Sequence, residues 1–118
     1  SHAADVPPRP CLPCVQIPIT ATLKTISQII EEHDVSVINL LKVDVEGLEM
    51  QVLEGIQTEA HWEMVQQVVM EVEDYELLTR ITELLETQGF DVQVRKGLEM
   101  EEHGAASSEV THLWARRL

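Results

Sequence analysis

The segment "SVINLLKVDV", Ser36 to Val45, is apolar almost without a break until its last third. Such a run suits a β-strand covered on both faces, the usual setting of a strand in a parallel sheet. Parallel strands need long crossovers, usually helical, that pack on the sheet. This one segment therefore calls for helices before and after it.

The flanking sequence supplies them. Upstream, "VQIPI", Val15 to Ile19, reads as a short edge strand, because Pro18 cannot donate to a central ladder. Thr22 offers an N-cap. Leu23, Ile26, Ile29 and Ile30 follow at helical spacing, and that helix should end near His33 and Asp34. Downstream, "GLEMQVLEGI" reads as a short helix with Gly55 at its C-cap. A loop through His61 and Trp62 leads to a second β-rich run, Val65 to Glu73. Leu77, Leu78, Ile81, Leu84 and Leu85 then mark an amphipathic helix that Gly89 stops. "FDVQV", Phe90 to Val94, is a third strand of this series, and "VTHLWARRL" is a last one, antiparallel to it. Between them, Lys96 to Glu109 reads as a mobile or functional loop. The expected architecture is a single α/β domain over residues 15–118. Its sheet is mostly parallel and doubly wound, with a carboxyl-terminal antiparallel hairpin, and residues 1–14 form an extended leader or expression remnant.

In sheets of this kind ligands bind outside the carboxyl ends of the strands, and there the sequence changes character. Side chains alternate faces along a strand. Ile38, Leu40, Lys42, Asp44 and Glu46 share one face, which turns from apolar to charged, while Leu41, Val43 and Val45 share the other. The second run repeats this, with Val69, Glu71 and Glu73 on one face, Val68, Met70 and Val72 on the other, and Asp74 next. If the two strands are neighbours, Asp44, Glu46, Glu71, Glu73 and Asp74 converge at one rim, with Lys42 slightly deeper as a partner for Glu71.

Gathering like charges costs energy unless something answers them. A divalent cation on oxygen ligands such as Asp44 and Glu73 is one answer. A carboxylate acting as general base on a substrate hydroxyl is another. A hydroxyl or amine held by hydrogen bonds is a third. A Lys42–Glu71 ion pair with solvated strand ends is the purely structural alternative. Gly47 permits a sharp turn into the following helix, whose N-terminus favours acids; Glu49 is assigned to that capping role.

Eight basic against 21 acidic residues give a net charge of −13, which disfavours nucleic acid and anionic membranes as partners. No apolar stretch approaches the roughly 18 residues of a membrane-spanning helix. The start of the chain lacks a signal-peptide layout. Cys11 and Cys14 form a CxxC among prolines, without a second pair to complete a zinc site, and are read as structural or incidental. Two cysteines make no disulfide framework, so the expected setting is reducing and cytoplasmic.

The block "INLLKVDVEGLEMQVLEGI", Ile38 to Ile56, resembles the FkbM-type methyltransferases, whose pattern is "hDLLKIDVEGhEhxVLxGh" with h apolar. The likeness continues through "QVVMEVEDYELLTRITELLETQGFDVQV" and, upstream, "IPITATLKTISQIIEEHD". It implies the Rossmann-like methyltransferase fold, S-adenosylmethionine as cofactor, and methyl transfer to a small molecule, typically at oxygen. It also implies a missing first half, because every strand corresponds to the family's fourth strand onward and no GxG occurs in the chain. No cofactor-binding residue is assigned for that reason. By the same resemblance Asp44 is the first choice for a catalytic carboxylate, then Glu46 and Glu73, with Lys42, Glu71 and Asp74 in support. The family often has His where this chain has Glu73. The alternative reading is a non-catalytic, methyltransferase-like module for interaction or dimerisation, with a homodimer formed through the open sheet edge at residues 38–45.

Overall fold

The computed structural model describes residues 16–98 and 109–118. Cys11, Cys14 and most of the expected 96–109 loop lie outside the described residues. In chain order the elements are α1 (Ile26–Glu32), β1 (Leu41–Val43), α2 (Glu49–Glu54), α3 (Glu59–Met64), β2 (Gln67–Val72), α4 (Tyr75–Thr87), β3 (Phe90–Leu98) and β4 (Glu109–Arg117). They form an α/β fold around a four-stranded sheet of order β1-β2-β4-β3.

The sheet is mixed rather than mostly parallel. β1 pairs with β2 in parallel, whereas β4 is antiparallel to both β2 and β3. The β3–β4 hairpin is the expected one, but its second strand returns to lie between β2 and β3. Its inward side suits that central place: Leu113 and Ala115 are 1% and 0% exposed. Ala115 stands in register with Val68 on one side and Val92 on the other.

β1 is much shorter than the apolar run that encodes it, and the described residues cover only one of its faces. Val43 is 4% exposed, yet neighbouring Leu40 is 54% exposed and Lys42 is also in solvent. Upstream of β1 the pairing continues as a single parallel bridge between Ile38 and Val65. Its two hydrogen bonds, Ile38 N to Met64 O and Gln66 N to Ile38 O, are both 2.9 Å. The core lies on the covered side, where Leu53, Val65, Val68, Ile81 and Leu85 are all fully buried.

Two further expectations are corrected. Residues 16–25 form no strand, and Ile17 and Ile19 are exposed. Pro18 withholds a donor, and no described strand lies alongside to pair with this segment. The first helix starts at Ile26 with Thr25, not Thr22, as its N-cap. Thr25 and Gln28 form a capping box: Gln28 N donates to Thr25 Oγ1 at 3.1 Å, and Thr25 N donates to Gln28 Oε1 at 2.8 Å. The loop expected through His61 and Trp62 is the helix α3, capped by Thr58 Oγ1, which accepts from His61 N at 3.1 Å. Trp62 then meets Phe90 edge-on with ring centroids 6.3 Å apart.

Candidate acceptor site at the strand ends

β1 and β2 run side by side in one direction, so their carboxyl ends open at the same rim. Gly47 turns the chain there with φ +82°, a left-handed conformation that glycine adopts without strain. A Cβ at Gly47 would meet nothing within 4 Å, so the backbone angle alone calls for glycine. On the other side of the rim Asp74 caps α4, its Oδ1 accepting from Glu76 N at 2.9 Å.

Between these two turns lies a cavity of about 200 Å³, lined by Asp44, Val45, Glu46, Gly47, Glu49, Glu71, Glu73, Asp74 and Leu77. The expected carboxylates therefore converge. Asp44, Glu46, Glu71 and Glu73 are exposed at the rim, and among the described residues no basic side chain lines the cavity.

Two expected roles are corrected. Lys42 does not pair with Glu71. The strand register sets it opposite Val69, on the open face of the sheet, and it lines no part of the cavity. Glu71 stands across from His112, with Glu71 Oε1 and His112 Nδ1 3.6 Å apart and both side chains more than half exposed. Glu71 lies one pleat beyond Val69, the residue level with Lys42, so the two side chains do not meet.

Glu49 does more than sit at a helix start. It is the first residue of α2 but is only 4% exposed, and its Oε2 has no hydrogen-bond partner among the described residues. A buried carboxylate oxygen without a donor is costly, by about 1–3 kcal/mol or more for a charged group. The sequence carried a signal for this: Glu49 falls on the helical stripe of Leu53 and Ile56, both buried.

The cavity does not fit an adenosyl group. Among the described residues it offers no glycine-rich turn and only Val45 and Leu77 as apolar lining. Its volume is below the roughly 300–1,000 Å³ of pockets for drug-sized ligands. Among the described residues, no group of three or more His, Cys, Asp or Glu side chains is arranged to hold a metal ion.

Comparison with known proteins gives this arrangement a context. The family model of the methyltransferase FkbM domain matches residues 15–92. Methyltransferase sdnD of Sordaria araneosa is 39% identical over 85 residues, covering 64% of this chain and 32% of that protein. The 31-O-demethyl-FK506 methyltransferase FkbM of Streptomyces tacrolimicus is 39% identical over 75 residues, covering 63% and 28%. Methyltransferase 1 of Beauveria bassiana is 49% identical over 61 residues, covering 50% and 24%. The chain thus spans about a quarter to a third of the length of these relatives. Among solved structures, precorrin-6y C5,15-methyltransferase from Geobacter metallireducens superposes with a TM-score of 0.55 at 16% identity, covering 74% of this chain and 48% of that one. That likeness concerns the fold alone. With the family model matching well over half of its residues, the chain belongs to the FkbM methyltransferase domain family.

Proposed function

We propose that this chain is the acceptor-side part of an S-adenosylmethionine-dependent O-methyltransferase acting on a small molecule. The observation that carries the reading is the convergence of Asp44, Glu46, Glu71 and Glu73 on one cavity at the carboxyl ends of two parallel strands. Family membership supports the reaction class.

In this reading S-adenosylmethionine would supply the methyl group, and no residue of this chain is assigned to hold it. The work of the chain is on the acceptor. Asp44, on the exposed side of the β1 end, takes the proton of the acceptor hydroxyl, and Glu46 and Glu73 orient it. Gly47 fixes the angle at which α2 leaves the rim, and Asp74 fixes the start of α4 by capping it. Asp74 is thus a positioning residue that also lines the cavity.

A second reading, a non-catalytic module that binds another chain, draws on the uncovered sheet face. Leu40 and Trp114 are 54% and 45% exposed there. The two readings part in a methyl-transfer assay. A methyltransferase that contains these residues, supplied with methyl-labelled S-adenosylmethionine and hydroxylated small molecules, should place the label on an acceptor oxygen, as located by mass spectrometry. Label found only on nitrogen or carbon excludes the O-methyl assignment, and no transfer to any acceptor favours the binding module.

A further inference from the structure

On the open face of the sheet, strand register sets every second residue of each strand level with its neighbours. The middle row reads Lys42, Val69, Trp114 and Gln93 across β1, β2, β4 and β3. Continuing the β1 register by one residue at either end gives two more rows. One is Asp44, Glu71, His112 and Arg95, and the other is Leu40, Gln67, Arg116 and Asp91. All are exposed except Gln67 and Val69, which are half-buried. The acids Asp44, Glu71 and Asp91 are balanced by the bases Lys42, Arg95 and Arg116, although the chain as a whole carries −13. Two copies can meet on this face without the repulsion that their net charge imposes elsewhere.

We propose that the open faces of two copies pack on each other about a two-fold axis that runs along the strands between β2 and β4. Such an axis exchanges left and right within each row. It sets Asp44 against Arg95, Glu71 against His112 and Val69 against Trp114 of the second copy. Lys42 meets Gln93, Gln67 meets Arg116 and Leu40 meets Asp91, so no like charges face one another. A two-fold across the strands would instead set Lys42 against Lys42 and His112 against Arg116. Trp114, 45% exposed in one copy, then fills a hollow of about 560 Å³ whose lining includes Val69. Sheets packed face to face keep their strands within about 30° of each other and lie about 10 Å apart, which long side chains span.

The pairing of Asp44 with Arg95 belongs to the dimer alone. In one copy the two stand on opposite edge strands, three strand spacings or about 14 Å apart. Arg95 of the second copy thereby brings a positive side chain to each acidic rim, where the described residues of one copy supply none. A cation beside Asp44 favours its ionised form. This goes beyond the acceptor-site reading and does not depend on it.

Sedimentation equilibrium of the 118-residue chain and of three variants tests the pairing without any methyl transfer. The parent chain should be a dimer that dissociates on dilution. Arg95→Asp and Asp44→Arg should each raise the dissociation constant about tenfold or more, because each turns two attractions per dimer into repulsions. The double variant restores both pairs with their signs exchanged and should dimerise within about threefold of the parent. A parent that stays monomeric, a mass that grows past two copies, folded single variants that dimerise like the parent, or a double variant as weak as the singles would each overturn the proposal. Pairing through the β1 edge gives the third of these outcomes. Tryptophan emission of the parent chain serves if a variant fails to fold. Trp62 is buried within one copy, so a red shift on dilution that follows dissociation reports Trp114, and an unchanged emission maximum through dissociation would overturn the proposal.

Discussion

Single side chains divide into those that hold the fold and those that face the cavity. Arg117 belongs to the first kind. Its Nε donates to Val65 O at 2.9 Å, its Nη1 to Gln88 O at 3.0 Å, and its Nη2 to Trp62 O, while the guanidinium lies 4.4 Å above the Phe90 ring. One cation thereby closes the carboxyl ends of α3 and α4 against β3. Arg117→Ala should cost about 2–4 kcal/mol, since bonds to a charged donor are worth about 1.5–3 kcal/mol each and are not additive; a urea melt measures it. Glu71 behaves differently, because its pairing with His112 is exposed and ion pairs of that kind contribute about 0–1 kcal/mol. Glu71→Gln should leave the urea midpoint nearly unchanged, whereas a loss of several kcal/mol would mean a buried role that the structure does not contain. The place of Asp44, Glu46 and Glu73 at the rim was legible in the sequence because they stand just beyond the apolar runs that become β1 and β2. His112 and Arg117 were not, because their partners lie across the sheet or more than 25 residues away.

Elements were legible in proportion to their length and their caps. α4 repeats its apolar positions over 13 residues and was found from them. α3, with six residues, is shorter than two helical turns and offers periodicity little to work on. Its capping threonine, Thr58, was the available signal. Residues 36–45 mislead in the opposite direction: their apolar run promises a strand covered on both faces, yet the described residues cover one. Pairing order was out of reach because β4 chooses between neighbours by long-range packing. Gly55 joins two elements at close quarters. Its oxygen accepts from Ser27 N at 3.0 Å, and a Cβ there would approach Val52 O to 3.1 Å and Thr25 Cβ to 3.3 Å. Gly55→Ala should therefore destabilise the chain by about 1–3 kcal/mol through overpacking between α1 and α2. Gly47→Ala meets no neighbour and should cost only the left-handed backbone penalty of about 1–2 kcal/mol. Thermal unfolding of the two variants separates crowding from strain.

At the scale of the whole molecule, the described residues leave the sheet with one covered and one open face and β1 at one of its edges. Exposed sheet edges invite pairing with another chain, although the shortness of β1 blunts this one. We expect the isolated chain to self-associate, and a concentration-independent monomer mass by light scattering would contradict that. We also expect it to bind S-adenosylmethionine weakly or not at all, because no GxG occurs in its sequence; a micromolar dissociation constant by calorimetry would contradict that. In the proposed function the acceptor loses its proton at the acidic rim. The most direct test of this is the turnover of a methyltransferase containing these residues, compared between the parent sequence and Asp44→Asn. The substitution nearly conserves volume at an exposed position and should leave folding intact. In Asp44→Asn kcat should fall by about 10²–10⁴-fold, the range for loss of a general base, and full turnover in the folded variant would rule out Asp44 as the base.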